Sequence, residues 1–478
     1  MSPALLLALA AVLAWAVLLG LRGRWWRTDV NDEDAAELPD PADWPAVAAI
    51  VPARDEAPTI GATVRSLLAQ DYPGPFRLVV VDDRSTDGTG DLARAAAVGD
   101  PRLIVVTGRA RPPGWTGKLW AQQQGLEALA ATPGAVAAGD PLAATPSAVA
   151  AGDPPAADTG TAPEYLLLTD ADIRHDRDSL RALVRRARAE GLAMVSLMAR
   201  LRCENAAERA LIPFFVLFFG MLYPFRWVND PAARTAGAAG GCVLLRRDAL
   251  EASGGLEPMR GAIIDDCTLA RRIKHPQGSA ERARGSAERA RGAEGRPASG
   301  ESRPIWLGLT RRVVSLRPYE GLGELRRMVA RTAYAQLGYN PFLLLGTVLG
   351  LGLVFLAPPL LAIFAEGTPR WLGVAAWLAM VKVSTPILLF YGLSPWRGAA
   401  LPAVAALYLL FTLDSAWAEW RGRGGLWKGE AHRRDAPAAL LPGTAPATAA
   451  PEGGAAVTAE GEHGGTAPPR LREPGKVA

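Results

Sequence analysis

The chain has 478 residues, 49% hydrophobic and 21% charged, with a formal net charge of +4; this length holds one large domain plus accessory segments, since single cores stop growing near roughly 250–300 residues. So small a net charge, with no basic run interleaved with aromatics, excludes a nucleic-acid-binding face. Cys203, Cys242 and Cys267 form no CxxC pair and no closely spaced ligand set with histidine, which excludes structural zinc and a disulfide framework and fits a reducing, cytosol-facing domain.

Residues 4–21 (ALLLALAAVLAWAVLLGL) form an uncharged run about long enough to cross a bilayer, followed by Arg22, Arg24 and Arg27 with Trp25 and Trp26. Positive charges after the apolar run, with no A-x-A site, predict a membrane anchor over residues 1–27 with a cytoplasmic basic flank, against the alternative of a cleaved signal peptide. From about 45 to 335, short apolar strands alternate with helical patterns, as in a mostly parallel α/β sheet. Strands are expected over 47–53, 76–83, 102–108 and 164–172, and helices over 59–69 and 87–97. Each strand ends in a polar cluster, which is where ligands bind in open α/β sheets.

Two stretches leave this pattern. TPGAVAAGDP (132–141) recurs as TPSAVAAGDP (145–154), and GSAERAR (278–284) recurs at 285–291. They read as low-complexity insertions near 131–161 and 276–302, and the Ala/Pro/Gly-rich tail over 435–478 as disordered. Residues 211–225 (LIPFFVLFFGMLYPF) are apolar on every side but short for a span, so an interfacial helix is expected, with a buried core helix as the alternative. Three further candidate spans, 342–365, 371–392 and 398–419, make a helical bundle over 342–420. Four spans beginning outside would leave the tail outside, yet Arg421, Arg423, Lys428, Arg433 and Arg434 prefer the cytoplasm. Lys382 and Asp414 inside the apolar segments, and the Pro358-Pro359 break, leave the topology of the last span open.

Carboxylates mark the strand ends. In YLLLTDAD, Asp170 and Asp172 stand two apart at the end of a strand, a spacing that brings both toward one site. Mg2+ or Mn2+ on a diphosphate needs such oxygen ligands, although D-x-D after a strand is also a common turn or helix cap, and Asp176 and Asp178 could cap the next helix. In VDDRSTDGT (81–89), Asp82 and Asp83 are placed to face a ligand while Asp87 or Ser85 caps the following helix. No GxGxxG and no GxxxxGK[ST] occurs at these strand ends, which argues against a dinucleotide fold or a P-loop.

Taken in order, these motifs resemble the inverting family 2 glycosyltransferases of the GT-A fold over about 45–335: VPARDE (51–56), VDDRSTDGT, GWTGKLWA (114–121), TDADI (169–173), GAAGGCVLLRRDAL with GGL (237–256), and IDDCTLARRI (264–273). Within the family, GWTGK, IWLGLTRR (305–312) and RTAYAQLGYNP (331–341) look most similar to the bacterial hopene-associated glycosyltransferases. The resemblance implies an α/β GT-A nucleotide-diphospho-sugar transferase domain with one N-terminal and about three C-terminal transmembrane helices. It places the enzyme in the inner (cytoplasmic) membrane, with the catalytic domain facing the cytoplasm. A UDP-sugar donor and a membrane lipid acceptor are implied as partners. Pro52, Arg54, Glu56, Asp82, Asp83, Lys118 and Asp170 would bind the donor, Asp172 with Asp170 the metal, and Asp266 with Asp265 beside it would supply the base. A helix N-cap is the alternative for the last pair. The Q/R-x-x-R-W signature of processive members is reduced to MVART (328–332), which keeps Arg331 and disfavours a polysaccharide synthase. Arg327 and Arg331, one helical turn apart, could meet a diphosphate or form a basic membrane-surface face. Retention of Asp83, Lys118, Asp170, Asp172 and Asp266 disfavours a non-catalytic scaffold.

Overall fold

Alternation along the strands decides the layering. In β1 (Val47–Ala53), Val47, Ala49 and Val51 join one hydrophobic cluster while Ala48 and Ile50 join another, the period-two division that a sheet covered on both faces requires. The structure, a computed structural model, describes residues 1–131, 162–276 and 303–422 and the two-residue strands Leu426–Trp427 and Glu430–Ala431. These lie in one compact unit, Met1–Leu440. The expected insertions near 131–161 and 276–302 and the tail over 435–478 fall on residues outside those described.

β1 pairs in parallel with β2 (Phe76–Asp82) and with β4 (Tyr165–Thr169), and β2 with β3 (Leu103–Thr107). The other strands are β5 (Ile173–His175), β6 (Met194–Arg200), β7 (Cys242–Arg246) and β8 (Ile305–Ser315). They complete an eight-stranded sheet in the order β3-β2-β1-β4-β7-β6-β8-β5. The mixed half is new relative to the sequence reading: β7 runs antiparallel between β4 and β6, and β5 antiparallel on β8. Pro52 is tolerated in a central strand because the β1–β4 ladder covers only Val47 to Ile50, so its missing N–H breaks no bond there.

One face of the sheet is covered by α2 (Ala57–Leu68), α3 (Thr89–Ala97) and α5 (Ser179–Ala189), through Ile60, Val64, Leu67, Ala93, Leu180, Leu183 and Val184. The other carries α4 (Gly117–Ala130), α6 (Ala206–Leu222) and α9 (Asp265–Lys274). Between these last two lie the short helices α7 (Phe225–Asn229) and α8 (Arg247–Ala252). α6 opens with a capping box: Asn205 accepts from the Glu208 N–H at 2.9 Å and the Glu208 carboxylate from the Asn205 N–H at 3.1 Å. The apolar run 211–225 is helical as far as Leu222. Leu211, Ile212, Phe214, Val216 and Leu217 are buried in the cluster that covers the sheet face, while Phe218 packs on Phe355 and Tyr408 of the apolar helices, so the helix lies between the sheet and the candidate spans.

Among the described residues, four helices are long and apolar enough to cross a membrane: Pro3–Gly20, Pro341–Phe364, Thr368–Phe390 and Pro395–Trp420. The first is α1. α10 (Leu322–Gln336) leads from β8 to the second, which consists of α11 (Pro341–Leu351), a π-helical turn Gly352–Leu356 and α12 (Ala357–Phe364). The third is α13, and the fourth is a 3-10 turn, Pro395–Ala400, followed by α14 (Leu401–Trp420). The π turn has a cause in the sequence. Pro358 has no N–H to give the carbonyl four residues back, Val354, and that oxygen instead accepts the indole N–H of Trp15 at 2.8 Å. Trp15 thus ties α1 to the kink, with its ring edge-on to Phe355 at 5.6 Å. Trp15→Phe keeps the ring packing and removes the donor, which should cost about 1–3 kcal/mol for an oxygen stranded in an apolar setting. Thermal unfolding in detergent should show a lowered midpoint for Trp15→Phe and none for Trp371→Phe, whose side chain is 70% exposed; equal midpoints would remove the bond's role.

Candidate active site at the strand ends

The loops after β1 and β2 hold each other in place. The Asp55 N–H donates to Ser85 Oγ at 3.0 Å, and Asp55 Oδ1 accepts from the Thr86 N–H at 2.9 Å. These bonds fix Asp55 and Arg84 at φ +50° and +56°, a left-handed geometry that non-glycine residues hold only when their surroundings impose it. The cap position of α3 falls on Gly88 and not on the expected Asp87 or Ser85; Asp87 instead joins the first turns of two helices, accepting from Thr89 N at 3.1 Å and Ala57 N at 2.9 Å. Asp82 turns onto its own loop to accept from the Ser85 N–H at 2.9 Å. Asp83 is 1% exposed, with Arg54 Nη1 at 3.6 Å.

β4 ends at Thr169, one residue before Asp170, so the D-x-D sequence lies on a turn and not on the expected strand: the Ile173 N–H closes onto Asp170 O at 3.3 Å. What aims both carboxylates is thus the turn, which is anchored by Thr63 Oγ1 donating to Ala171 O at 2.8 Å and by Leu316 N–H donating to Asp172 O at 2.7 Å. Behind it, Thr169 Oγ1 donates to Gly241 O at 2.8 Å and lies 3.0 Å from His175 Nε2. With the hydroxyl proton committed to Gly241, that ring nitrogen carries the hydrogen. Burial pushes the His175 imidazole down to about 3, so it stays a neutral prop.

Two acidic centres meet at one amine. Lys118 Nζ lies 2.7 Å from Asp170 Oδ1 and 3.5 Å from Asp265 Oδ2. Burial works against its charge, but Asp170, Asp265 and Asp266 outweigh burial and hold the ammonium above its ordinary range. Burial, then the charges of Asp170 and Glu56, push Asp172 up to about 6, and Arg317 at 3.9 Å offsets them only in part. A buried carboxyl beside two like charges is a place that a hard cation relieves. Among the described residues no three or more His, Cys, Asp or Glu side chains form a metal-holding group by themselves. One or two carboxylates that leave positions for phosphate oxygens and water suit Mg2+ or Mn2+ on a diphosphate, so the residues present fit such an ion.

Asp265 and Asp266 open α9, but the cap position belongs to Ile264 and no side chain caps the helix. Asp266 instead reaches across to Gly240, accepting its N–H at 2.8 Å on Oδ2, and takes the Cys267 N–H at 2.7 Å on Oδ1. Burial and the neighbouring Asp265 charge push Asp266 up to about 6, against the opposing pull of Lys118 and the two N–H donors. Gly240 allows a close approach: a Cβ there would lie 3.1 Å from Lys118 Nζ and 3.2 Å from Asp266 Oδ2, so both side chains would have to give by a few tenths of an ångström.

The structure therefore gathers Glu56, Lys118, Asp170, Asp172, Asp265 and Asp266 at one edge, with Arg54 and Asp83 at the neighbouring strand ends. Arg327 is 73% exposed and paired with Glu324 at 3.4 Å. Sequence reasoning missed His175 and Arg317, which carry no motif, and the backbone role of Gly240, for which the GAAGG run was the available signal.

Residues 45–282 match the family model described as glycosyltransferase-like family 2. A search of curated proteins gives no match. Among solved structures the chain is similar to a mannosyltransferase from Pyrobaculum calidifontis in complex with GDP-Man and Mn2+, at 19% identity over 86% of this chain and 99% of that one, with a TM-score of 0.45. It is also similar to the mannosyl-3-phosphoglycerate synthase of Rubrobacter xylanophilus, at 16% identity over 65% and 80% of the two chains, with a TM-score of 0.32. A third is the glucosyl-3-phosphoglycerate synthase of Mycobacterium tuberculosis with Mn2+, UDP-glucose and phosphoglyceric acid, at 15% identity over 59% and 75%, with a TM-score of 0.31. The stretch matched by the family model contains Glu56, Lys118, Asp170, Asp172 and Asp266, and the chain is a glycosyltransferase with a family 2 domain of α/β, GT-A-like architecture.

Proposed function

We propose that the enzyme transfers a sugar from a nucleotide-diphosphate donor, a UDP-sugar, to the hydroxyl of a membrane lipid, a hopanoid or related polyprenoid alcohol, by single displacement with inversion. The observation that carries this reading is the Lys118 bridge between Asp170 and Asp265, one positive charge within reach of both the acid proposed for the diphosphate side and the acid pair proposed for the base. Asp82 and Asp83 bind the base and ribose, with Pro52, Arg54 and Glu56 forming the wall of the first strand end. Lys118 contacts the donor beside Asp170. Asp266 accepts the proton of the acceptor hydroxyl as its oxygen bonds to the anomeric carbon and the bond to the diphosphate breaks on the opposite face. Asp172, with Asp170, would hold Mg2+ or Mn2+, whose charge offsets the one that develops on the leaving diphosphate. The four apolar helices and the arginines that follow α1 support an inner-membrane enzyme whose catalytic domain faces the cytoplasm and acts on lipid. Incubating membranes that hold the purified enzyme with radiolabelled nucleotide sugars tests the reading: a labelled lipid of defined mobility is expected, and label only in long polysaccharide or in free sugar would refute it.

Asp266→Asn retains size and accepts the Gly240 N–H but takes no proton. Donor affinity should hold while single-turnover transfer drops on the order of a hundredfold or more; normal transfer would take Asp266 out of the active site.

The raised Asp266 carboxyl fixes a direction in pH. Its base form is half populated at about 6 and nearly complete a unit above, so transfer should level off beyond that range and fall about tenfold per unit well below it. Lys118 lowers Asp266, so Lys118→Met should move the acid limb of the rate profile to higher pH; an unmoved or lowered limb contradicts the assignment.

Chelation by EDTA should abolish transfer, with Mg2+ or Mn2+ restoring it. Titrating nucleoside diphosphate into Asp172→Ala should show affinity that no longer responds to the ion. Cation-enhanced affinity at the wild-type level in that variant would shift the ligand role elsewhere.

A further inference from the structure

We propose that residues 391–420 form a re-entrant hairpin that enters and leaves the membrane on the side of the catalytic domain, so that the chain crosses three times and Arg421 ends on the same side as the active site.

Both ends of this segment sit on the catalytic side. At the first, Arg311 of β8 lies over the Phe390 ring at 4.7 Å and Arg200 of β6 over Tyr391 at 5.8 Å. At the second, Arg326 of α10 grips Asp414 at 3.0 and 3.2 Å, and the Tyr334 N–H donates to Ser415 Oγ at 3.2 Å. The Tyr334 and Trp420 rings meet edge-on at 6.0 Å. α10 comes from the catalytic sheet and bears exposed Arg326 and Arg327, so the end of α14 beside it is at the polar boundary.

The direction of α14 agrees. Leu344, near the start of α11, packs with Ala416 and Tyr334 in one cluster. Phe355, further from the catalytic side, and Tyr408, earlier in α14, both stand edge-on to Phe218 at 5.4 Å. As the second span leaves the catalytic side, α14 approaches it. α13 has already returned from the far side by Phe390, so a further full crossing would put Trp420 on the wrong face.

Between its ends the segment goes deep. Trp377 Nε1 donates to Ala399 O at 3.0 Å, and a Cβ on Gly398 would meet Val381 Cα at 3.0 Å. Trp377 precedes Phe390 by thirteen residues, about 20 Å along a helix, against a hydrocarbon core of about 30 Å. The returning helix is the most enclosed of the four candidate spans, with 50% of its window buried against 17%, 22% and 39%; the turn before it buries Gly398 and leaves Trp396 and Arg397 exposed, an aromatic and a long basic side chain that can reach the membrane interface. Three crossings remove the charge conflict noted in the sequence, since Arg421 then shares a side with Arg22, Arg24 and Arg27, where anionic headgroups attract such charges.

The test uses the full chain with Cys203→Ser and one added substitution at a time: Asp91→Cys on the catalytic domain, where Asp91 is 89% exposed, Glu366→Cys between α12 and α13, and Arg421→Cys. Each is treated with a membrane-impermeant maleimide in intact cells and in inverted vesicles. Asp91→Cys and Arg421→Cys should label in the same preparation and Glu366→Cys in the other; Arg421→Cys labelling with Glu366→Cys overturns the hairpin. If Arg421→Cys does not fold, a protease-cleavable epitope after Ala478 of the otherwise unaltered chain replaces it. Cleavage on the Asp91 side supports the proposal and cleavage on the Glu366 side overturns it. The outcome is independent of donor and acceptor, so it stands or falls apart from the proposed reaction.

Discussion

The site depends on holding several carboxylates close together without letting them repel one another apart. Glu56, Asp170, Asp172, Asp265 and Asp266 come from three separate stretches of chain, and the ammonium of Lys118 touches Asp170 and Asp265 at once. Its position is set by backbone, not by the charges it serves. Thr116 caps α4 by accepting the Leu119 N–H at 3.2 Å, and its own N–H is fixed to Arg260 O at 2.7 Å. Gly125 lets that helix lie against β1 and β2, since a Cβ there would come within 2.5 Å of Ile50 Cγ2. The counter-charge is therefore preplaced, and the proposed diphosphate donor would require little reorganisation on binding.

The same economy ties the site to the membrane. One hydrophobic cluster runs without a break from Ile50, Val81 and Leu168 on the sheet, through Phe214 and Leu217 of α6, to Trp15, Phe355, Met380 and Tyr408 of the apolar helices. Tyr408 Oη, within α14, donates to Leu211 O at 2.7 Å. A sheet packed this way onto its membrane helices is not a head on a flexible stalk. Its strand ends are held in a set relation to the apolar helices, which suits an enzyme whose acceptor would be a lipid.

The sequence made the left half of the sheet readable because β1 to β4 are short apolar runs closed by turn residues, and their limits agree within a few positions. It hid β5, three residues long, and the antiparallel placement of β7, since neither strand direction nor sheet order is written in local periodicity. The acids were visible as motifs, yet the supposed strand spacing of Asp170 and Asp172 was the wrong reason for their proximity; a turn brings them together. For 211–225 the apolar pattern was correct and its partner unknown, because burial against the sheet and burial in lipid make the same demand on side chains. Asp414 looked like a charge lost in a span and is matched by Arg326, 88 positions away in sequence.

Glu208 shows why acid content alone could not separate structural from chemical carboxylates. Its side chain is fully buried, more so than that of Asp172. Burial alone would raise it, yet N–H donors from Tyr319 at 3.0 Å, Glu204 at 2.8 Å and Asn205 at 3.1 Å, with Arg202 nearby, more than offset that and hold it below its ordinary value. Asp172 and Asp266 are pushed the other way because part of their surroundings is like charge. A carboxylate whose lone pairs are filled by backbone has no proton to exchange near neutrality and serves as a fixed cap on α6. One buried beside another acid, as Asp266 is beside Asp265 despite the N–H groups of Gly240 and Cys267, keeps its affinity for a proton or a cation, and the proposed general-base and metal roles require that affinity.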